Sequence, residues 1–419
     1  MDFYAGKRVA LLRSKLRLTQ EELSDVLGIE RSEVSRIENA KRPITKEISK
    51  KLGKVFNVNP EYFEVIEKDE MLERILNQFR CLLLVGRANE ATGLMLKISD
   101  QIFHFQQEIE VNFLLATYHF QLHEYGKGNK FVDEFIKPIL KKNSFDTIQD
   151  EGLKFSYYLY RIEYCAYSRD SVGGNEVCDQ LLPCLQDKRQ RLSIQLRKNN
   201  FLTRAKKYDI AFKHIQAVLP DIEKLQDEVL LARGYLFEGI IYNHLNLHES
   251  ALKSFDKVES LANEWDFKEQ KAMAYQNKGF IYSKMGAYRN ALLFNKKAMD
   301  LMRDKSRQGP ILLSIIKNHL LLKELLDAKL YLSFTEGIEF TENEKMVLLS
   351  YRAQLALYAG DLKSHEEMIN KAMDYFNNHH NSRALNYVFH FLADYHAEMK
   401  NYKKSVEYYR KRGIYHENY

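Results

Sequence analysis

A helical hydrophobic pattern marks a short segment near the start of the chain. Leu23, Val26 and Leu27 fall on one face at helical spacing. Thr19 can cap this helix, because Glu22 stands three residues later and can reach back to the Thr19 amide. The pattern predicts a short, capped, amphipathic helix.

A second short helix is predicted directly after Gly28, which supplies the positive φ that a tight stop needs. Val34 and Ile37 are its buried pair. Its outward positions carry basic and hydroxyl side chains, namely Arg31, Ser32, Ser35 and Arg36. Two short helices joined in this way suit insertion of the second helix into the DNA major groove.

From about residue 70 onward, small residues recur at spacings of 37 to 40 residues. Gly239, Ala251 and Phe255 form one set, and Gly279 with Ala291 repeats it forty residues later. A small residue in a first helix lets the second helix of the same unit approach closely, and units of this length are typical of two-helix repeats. Since no single pair buries its own apolar face, we expect the units to stack into a superhelix.

The composition favours an almost wholly helical chain. The 419 residues include only 6 prolines and 18 glycines, whereas a sheet protein of this length would need many more turn residues. The chain has no apolar run of about 18 residues that could span a membrane, and its start has no basic region followed by an apolar one. Its four cysteines lack metal-ligand spacing, so we expect a cytoplasmic protein with reduced cysteines.

The positive charge is concentrated at the start of the chain. Residues 1–60 contain 13 Lys and Arg against 8 Asp and Glu, whereas the whole chain has a net charge of +6. Nearly all of the basic excess therefore coincides with the two short helices, as expected of a segment that attracts phosphate.

The segment from Ala5 to Phe63 resembles the XRE/Cro/CI-type helix-turn-helix. Carried over position by position, the implied DNA-binding residues are Gln20, Arg31, Ser32, Ser35, Arg36, Asn39, Lys41 and Arg42. Among them, Arg31, Ser32 and Arg36 match base-facing positions, whereas Gln20 and the loop residues match contacts to the sugar-phosphate backbone.

The same resemblance implies an ion pair and shows two departures. Arg13 and Glu38 match a partly buried pair that ties the first helix to the end of the recognition helix. Glu30 replaces the usual small hydroxyl residue at the cap of that helix, which weakens the cap and brings negative charge near phosphate. Ala40 replaces the usual glycine.

The repeats resemble tetratricopeptide repeats, although residues 151–190 fit poorly. We therefore predict an all-α fold with a helix-turn-helix domain at 1–66 and a right-handed α-solenoid of about nine repeats at 70–419. The resemblance implies an inner surface lined by the first helices, where counting from the small residues selects Arg197, Asn200, Arg204, Arg233, Asn243, Gln276, Asn277, Tyr351 and Gln354. Asn and Gln side chains can pair with a peptide backbone, and Arg can hold a carboxylate.

The combination of both parts resembles the RRNPP group of peptide-pheromone receptors (Rap, Rgg, NprR, PlcR and PrgX). This resemblance implies a cytoplasmic transcription regulator of quorum sensing. Its expected partners are a double-stranded DNA operator, a short signalling peptide and a second copy of the chain in a homodimer or higher oligomer.

Other functions stay open at this point. The repeats could serve as a scaffold or antagonist that captures a partner protein such as a response regulator, or the chain could be a phage or plasmid repressor without a ligand. We expect no enzyme, cofactor or metal site, because the sequence lacks a glycine-rich phosphate loop, G-x-S-x-G and H-E-x-x-H. The spacing of His390, Asp394 and His396 places only the first two well on one helix face.

Overall fold

A computed structural model describes residues 3–63, 69–98, 104–137, 150–265, 267–302 and 305–416. The regular structure in these ranges is helical and includes no strand. The helices are α1 (Phe3–Lys15), α2 (Gln20–Leu27), α3 (Arg31–Glu38), α4 (Lys46–Phe56), α5 (Glu70–Leu84), α6 (Thr92–Ile98), α7 (Phe105–Gln121), α8 (Tyr125–Phe131), α9 (Glu151–Ser168), α10 (Ser171–Leu181), α11 (Lys188–Arg204), α12 (Tyr208–Leu225), α13 (Glu228–His244), α14 (His248–Trp265), α15 (Lys268–Lys284), α16 (Tyr288–Leu301), α17 (Lys305–Leu321), α18 (Leu325–Ser333), α19 (Glu342–Tyr358), α20 (Leu362–Asn378), α21 (Ser382–Glu398) and α22 (Tyr402–His416).

Shorter helical turns complete the secondary structure. Three 3-10 turns lie at Pro60–Phe63, Ala88–Ala91 and Leu182–Cys184, and a π-helical turn at Val132–Ile136 continues α8. None of the described helices is both long and apolar enough to cross a lipid bilayer.

The first four helices form the predicted helix-turn-helix. Thr19 caps α2 in a capping box with Glu22, and Gly28 ends that helix with φ +66°. Leu23 and Leu27 are buried with the pair from α3, but Val26 is 62% exposed, so its expected place in the core is wrong. A helix of eight residues buries only a narrow stripe, and Ser24 rather than Val26 lies beside the core.

The remaining helices form nine successive pairs within the described ranges, from α5 with α6 to α21 with α22. The all-α fold of a helix-turn-helix followed by about nine two-helix repeats is thereby confirmed. Residues 1–230 form one compact unit and residues 231–419 a second, with the boundary in the first turn of α13. The predicted domain boundary at residues 66–70 lies mostly in 64–68, outside the described residues.

Small residues bring the helices of a pair together, as the repeat pattern predicted. A Cβ atom on Gly239 would lie 2.7 Å from the ring of Phe255, and one on Gly279 would lie 2.4 Å from Asn295 Oδ1. In the segment that fitted the repeat poorly, Gly174 of α10 instead lets the next pair approach, because its Cβ would lie 2.3 Å from the ring of Phe201 in α11. The close approach of the two helices at each of these three positions therefore depends on the missing side chain.

Helix α1 is packed against the second repeat pair by a buried polar cluster. Arg8 is 1% exposed, and its Nε donates to Glu108 Oε2 at 3.0 Å. Its Nη1 donates to the Tyr62 carbonyl oxygen at 2.9 Å, and the Tyr62 hydroxyl donates to Glu108. Leu11 enters the same hydrophobic core as Phe105 and its neighbours in α7. The helix-turn-helix and the first repeats thus share one core.

Candidate functional site

The recognition helix α3 has a buried apolar face and a solvent-exposed polar face. Val34 and Ile37 are 1% and 2% exposed, whereas Arg31, Ser32 and Arg36 lie on the solvent side. Because the apolar residues take the inner face, the basic and hydroxyl groups are left on the outer face. The geometry therefore presents side chains of the kind that contact base edges and phosphates.

The predicted ion pair between α1 and α3 is confirmed. Arg13 Nε donates to Glu38 Oε1 at 2.6 Å and Arg13 Nη2 to Glu38 Oε2 at 3.0 Å, with side chains 13% and 6% exposed. The side-chain amide of Gln20 donates to the same carboxylate at 2.8 Å. This places Gln20 in the network that holds the recognition helix, and its phosphate contact stays a prediction.

The loop after α3 carries the other residues expected to touch the DNA backbone. Lys41 is exposed, and the guanidinium of Arg42 pairs with Glu33 of the recognition helix. Asn39 Nδ2 donates to the carbonyl oxygen of Ser35 at 2.8 Å, which extends the end of α3. The side chains of Asn39 and Arg42 are thus held by the protein and oriented beside the recognition helix.

Both departures from the helix-turn-helix pattern have a structural counterpart. Ala40 adopts φ +58°, a left-handed conformation that costs an L-residue about 1–2 kcal/mol. Glu30 makes no side-chain cap to α3 and instead accepts a hydrogen bond from the Ser32 hydroxyl at 3.0 Å. The recognition helix is therefore held by its buried face and by the Glu38 ion pair more than by its cap.

In the first unit, two of the three residues expected on the inner repeat surface have protein partners, and the third is partly buried. Arg197 pairs with Glu163 and is largely buried. Asn200 is partly buried, and Arg204 is exposed with its Nη1 donating to the Ala166 carbonyl oxygen at 2.9 Å. Arg197 and Arg204 thus also stabilise the contact between α9 and α11.

In the second unit, the expected inner residues fall into two groups. Arg233, Gln276 and Asn277 are partly buried, and Asn277 Nδ2 donates to the Met273 carbonyl oxygen at 2.8 Å. Asn243 is 7% exposed, and no donor within the described ranges reaches its Oδ1. A buried amide oxygen without a partner is costly, which makes Asn243 a good position for a ligand N–H.

Tyr351 and Gln354 lie deeper than expected for a surface contact. Their exposed fractions are 5% and 2%, and Gln354 Oε1 accepts a hydrogen bond from the Tyr387 hydroxyl at 2.6 Å. Burial raises the pKa of the Tyr351 hydroxyl above its usual value. We call these two buried side chains of α19 the amide and aromatic floor.

Sequence counting missed the basic and aromatic residues beside this floor. Arg383 lies over the ring of Phe280, with Cζ 4.4 Å from the ring centroid, and Lys317 Nζ lies 5.5 Å from the centroid of Tyr387. A signal was present, because Phe280 and Lys317 directly follow the repeat positions of Gly279 and Ile316, as Gln354 follows Ala353.

One group of residues has the arrangement of possible metal ligands. Ligand atoms of His319, Glu324 and Asp327 lie within 4.8 Å of one another. The His319–Glu324 contact recurs at His119–Glu124, two hundred residues earlier, at 2.8 Å and 2.6 Å respectively. Each histidine ring also stacks on an aromatic ring twelve residues later. The recurrence indicates that this contact stabilises the turn between the two helices of a repeat pair.

The sequence profile of the helix-turn-helix family matches residues 9–63. No curated protein matches the chain. The fold resembles that of Rap protein complexed with competence and sporulation factor, with a TM-score of 0.64 and 15% identity over 83% of this chain and 98% of Rap. It also resembles the apo form of the quorum sensor NprR from B. thuringiensis, with a TM-score of 0.60 and 16% identity over 83% of this chain and 99% of NprR.

NprR in complex with its cognate peptide NprX gives a TM-score of 0.57 at 15% identity, over 82% of this chain and 98% of that one. At such identities the likeness concerns the fold, and at this level the resemblance to the RRNPP group is confirmed. Residues 9–63 thus form a helix-turn-helix domain of XRE type, in a chain whose fold is that of the Rap and NprR receptors.

Proposed function

We propose that this protein is a transcription regulator that binds operator DNA and is controlled by a short signalling peptide on its repeats. The exposed basic and hydroxyl face of α3 is the observation that carries the DNA-binding part. The peptide part is supported by the fold likeness to NprR, a quorum sensor that binds the peptide NprX.

On DNA, Arg31 and Arg36 read base edges, since an arginine fork matches the O6 and N7 atoms of guanine. Ser32 and Ser35 lie on the same helix, and Gln20, Asn39, Lys41 and Arg42 hold the sugar-phosphate backbone. A homodimer or higher oligomer places two such helices on half-sites about one DNA turn, roughly 34 Å, apart.

Replacing Arg36 with alanine should reduce the preference for operator over random DNA, by about 1–3 kcal/mol, because a bidentate base contact is lost. Lys41→Ala is the matched variant, since it should weaken binding to both DNAs alike and reduce the dependence on salt. Fluorescence anisotropy with an operator selected from random DNA measures both effects. Equal losses of Arg36→Ala on operator and random DNA would exclude a base contact by Arg36.

The peptide-binding surface in the second unit is formed by first helices of successive pairs. Its proposed residues are Arg233, Asn243, Gln276, Asn277, Tyr351 and Gln354, and Arg197, Asn200 and Arg204 stay predicted contacts of the first unit. The buried and unpartnered Oδ1 of Asn243 is suited to a backbone N–H of an extended peptide. A peptide can switch DNA binding only if it favours one assembly over another.

Asn243→Ala should abolish the peptide response and leave peptide-free DNA binding near normal, because the substitution removes a ligand acceptor that no described residue uses. Calorimetry with synthetic peptides from small open reading frames beside the gene measures binding. The control is Asn263→Ala, an exposed amide on α14 that accepts a hydrogen bond from Lys271. If no peptide binds and a folded partner protein copurifies through this surface, the scaffold function replaces the peptide receptor.

A further inference from the structure

Lys317 is a partly buried cation without a carboxylate partner. No acidic side chain in the described ranges pairs with its ammonium group, whose nearest recorded contact is the ring of Tyr387. Lys278 in the same unit is paired with carboxylates, since its Nζ lies 2.7 Å from Asp256 Oδ1 and 2.5 Å from Glu259 Oε2. Because buried charges are normally paired, the difference between the two lysines needs an explanation.

A second cation lies on the last repeat pair, one helical turn before Tyr387, whose ring Lys317 contacts. Arg383 belongs to α21, and its guanidinium lies over Phe280 of α15, three pairs earlier in the chain. The arginine makes no ion pair with any residue that the structure describes. Lys284, at the end of α15, has only Asn246 Oδ1 as a recorded partner, at 2.5 Å. We call Lys284, Lys317 and Arg383, with the rings of Phe280 and Tyr387, the cationic cluster.

The charges of this cluster act on one another. Burial lowers the pKa of Lys317 to about 8, and the positive charge of Arg383 adds to the effect. Burial and Arg383 also lower the pKa of Lys284. Lys317 is partly buried, whereas Arg383 and Lys284 are exposed. Neighbouring like charges without a counter-charge repel one another, and an anion would relieve that repulsion.

We propose that the cationic cluster binds a carboxylate group of the signalling peptide, an inference that rests on the proposed function. Arg383 offers a planar fork to the two carboxylate oxygens, and Lys317 adds a point charge from the adjacent helix face. The face of the Phe280 ring attracts Arg383, and the face of the Tyr387 ring attracts Lys317.

The position of the cluster favours a peptide over a free inorganic anion. Tyr387, which lies below Lys317, also donates to Gln354, so the cluster is continuous with the amide and aromatic floor of the proposed peptide surface. Donation from Tyr387 occupies Gln354 Oε1 and leaves the side-chain NH₂ group of Gln354 as a donor for a peptide carbonyl. A carboxylate at one end of an extended peptide can thus bind the cationic cluster while the peptide backbone pairs with side-chain amides.

The test uses two libraries of random N-acetylated heptapeptides, one with a free C-terminal carboxylate and one amidated. The full-length protein is incubated with each library, and retained peptides are identified by mass spectrometry after size exclusion. We expect peptides with a free C-terminus or an acidic side chain to be enriched at least about tenfold over amides without acidic residues. The two libraries distinguish a C-terminal carboxylate from an acidic side chain.

Arg383→Gln and Lys317→Met should each remove this enrichment, and Lys317→Arg should retain it. Arg289→Gln is the control, because it removes a cation that is 79% exposed in the same unit. Circular dichroism shows whether each variant is folded. If the wild type and both cluster variants retain peptides without preference for carboxylates, the cluster assignment is wrong and the peptide receptor stands. If the wild type retains no peptide, or only inorganic phosphate raises its melting temperature, both proposals fail.

The bound carboxylate should also make affinity depend on pH. Lys317 is charged below about pH 8, so the affinity of a retained peptide should fall between about pH 7 and 9. The groups that face Lys317 or Arg383 are Lys284, His244, His390, Tyr351 and Tyr387. The two histidines have lowered pKa values and are neutral in this range, and the tyrosines have raised ones. This decrease in peptide affinity should be absent from Lys317→Arg. Calorimetry in two buffers at pH 8 should show that peptide binding takes up protons in the wild type but not in Lys317→Arg.

Discussion

Arg8→Met should lower the free energy of local unfolding of the helix-turn-helix by about 3–5 kcal/mol, because it leaves the Glu108 carboxylate buried without its cation. Methionine retains most of the packing of the arginine stem, so the loss measures the charge more than the volume. Hydrogen exchange of peptides from residues 20–40 and 105–121 in the full-length protein reports this local opening.

Lys15→Met is the matched control for this change. Lys15 lies on the same helix and pairs with Glu134 at 2.9 Å, but the two side chains are 46% and 43% exposed. Exposed pairs contribute about 0.2–1 kcal/mol, so the control should change hydrogen exchange little. Similar exchange in wild type and Arg8→Met would show that the buried cluster does not hold the helix-turn-helix on the repeats.

The loss in Arg8→Met should be larger at neutral than at acidic pH. Burial raises the pKa of Glu108 above its usual value, and Arg8 opposes this effect. Without Arg8 the folded-state pKa rises further. The penalty is therefore full above that pKa, where the carboxylate is charged, and disappears as pH falls through the unfolded value near 4.5.

Arg13→Met should destabilise the contact between α1 and α3 by about 3 kcal/mol, somewhat less than for a fully dry pair, because the Glu38 carboxylate loses its cation and keeps only the Gln20 amide as a partner. The double variant Arg13→Met/Glu38→Leu should recover most of this stability, since no charge is then left stranded. Hydrogen exchange of residues 31–38 in the full-length protein is the measurement. A single variant as stable as the wild type but defective on DNA would mean that Arg13 is a DNA contact.

Much of the local structure followed from short-range rules. The capping box at Thr19, the left-handed Gly28 and the Arg13–Glu38 pair each depend on a few residues in a motif of narrow geometry. The repeats were visible because a missing side chain at Gly239 and Gly279 is needed wherever two helices meet closely. Val26 was misplaced, because spacing identifies a helix face without showing how wide its buried stripe is.

The sequence by itself determined the two kinds of helical unit and the outward face of the recognition helix, since these depend on residues within one turn or one repeat. Only the tertiary structure showed that Arg8 and Leu11 enter a core shared with α7, about a hundred residues away. It also decided that Lys278 has two carboxylate partners, while Lys317 contacts the ring of Tyr387 on the helix that carries Arg383. The physical reason is that charge pairing across repeats depends on distances through space, which no local spacing rule contains.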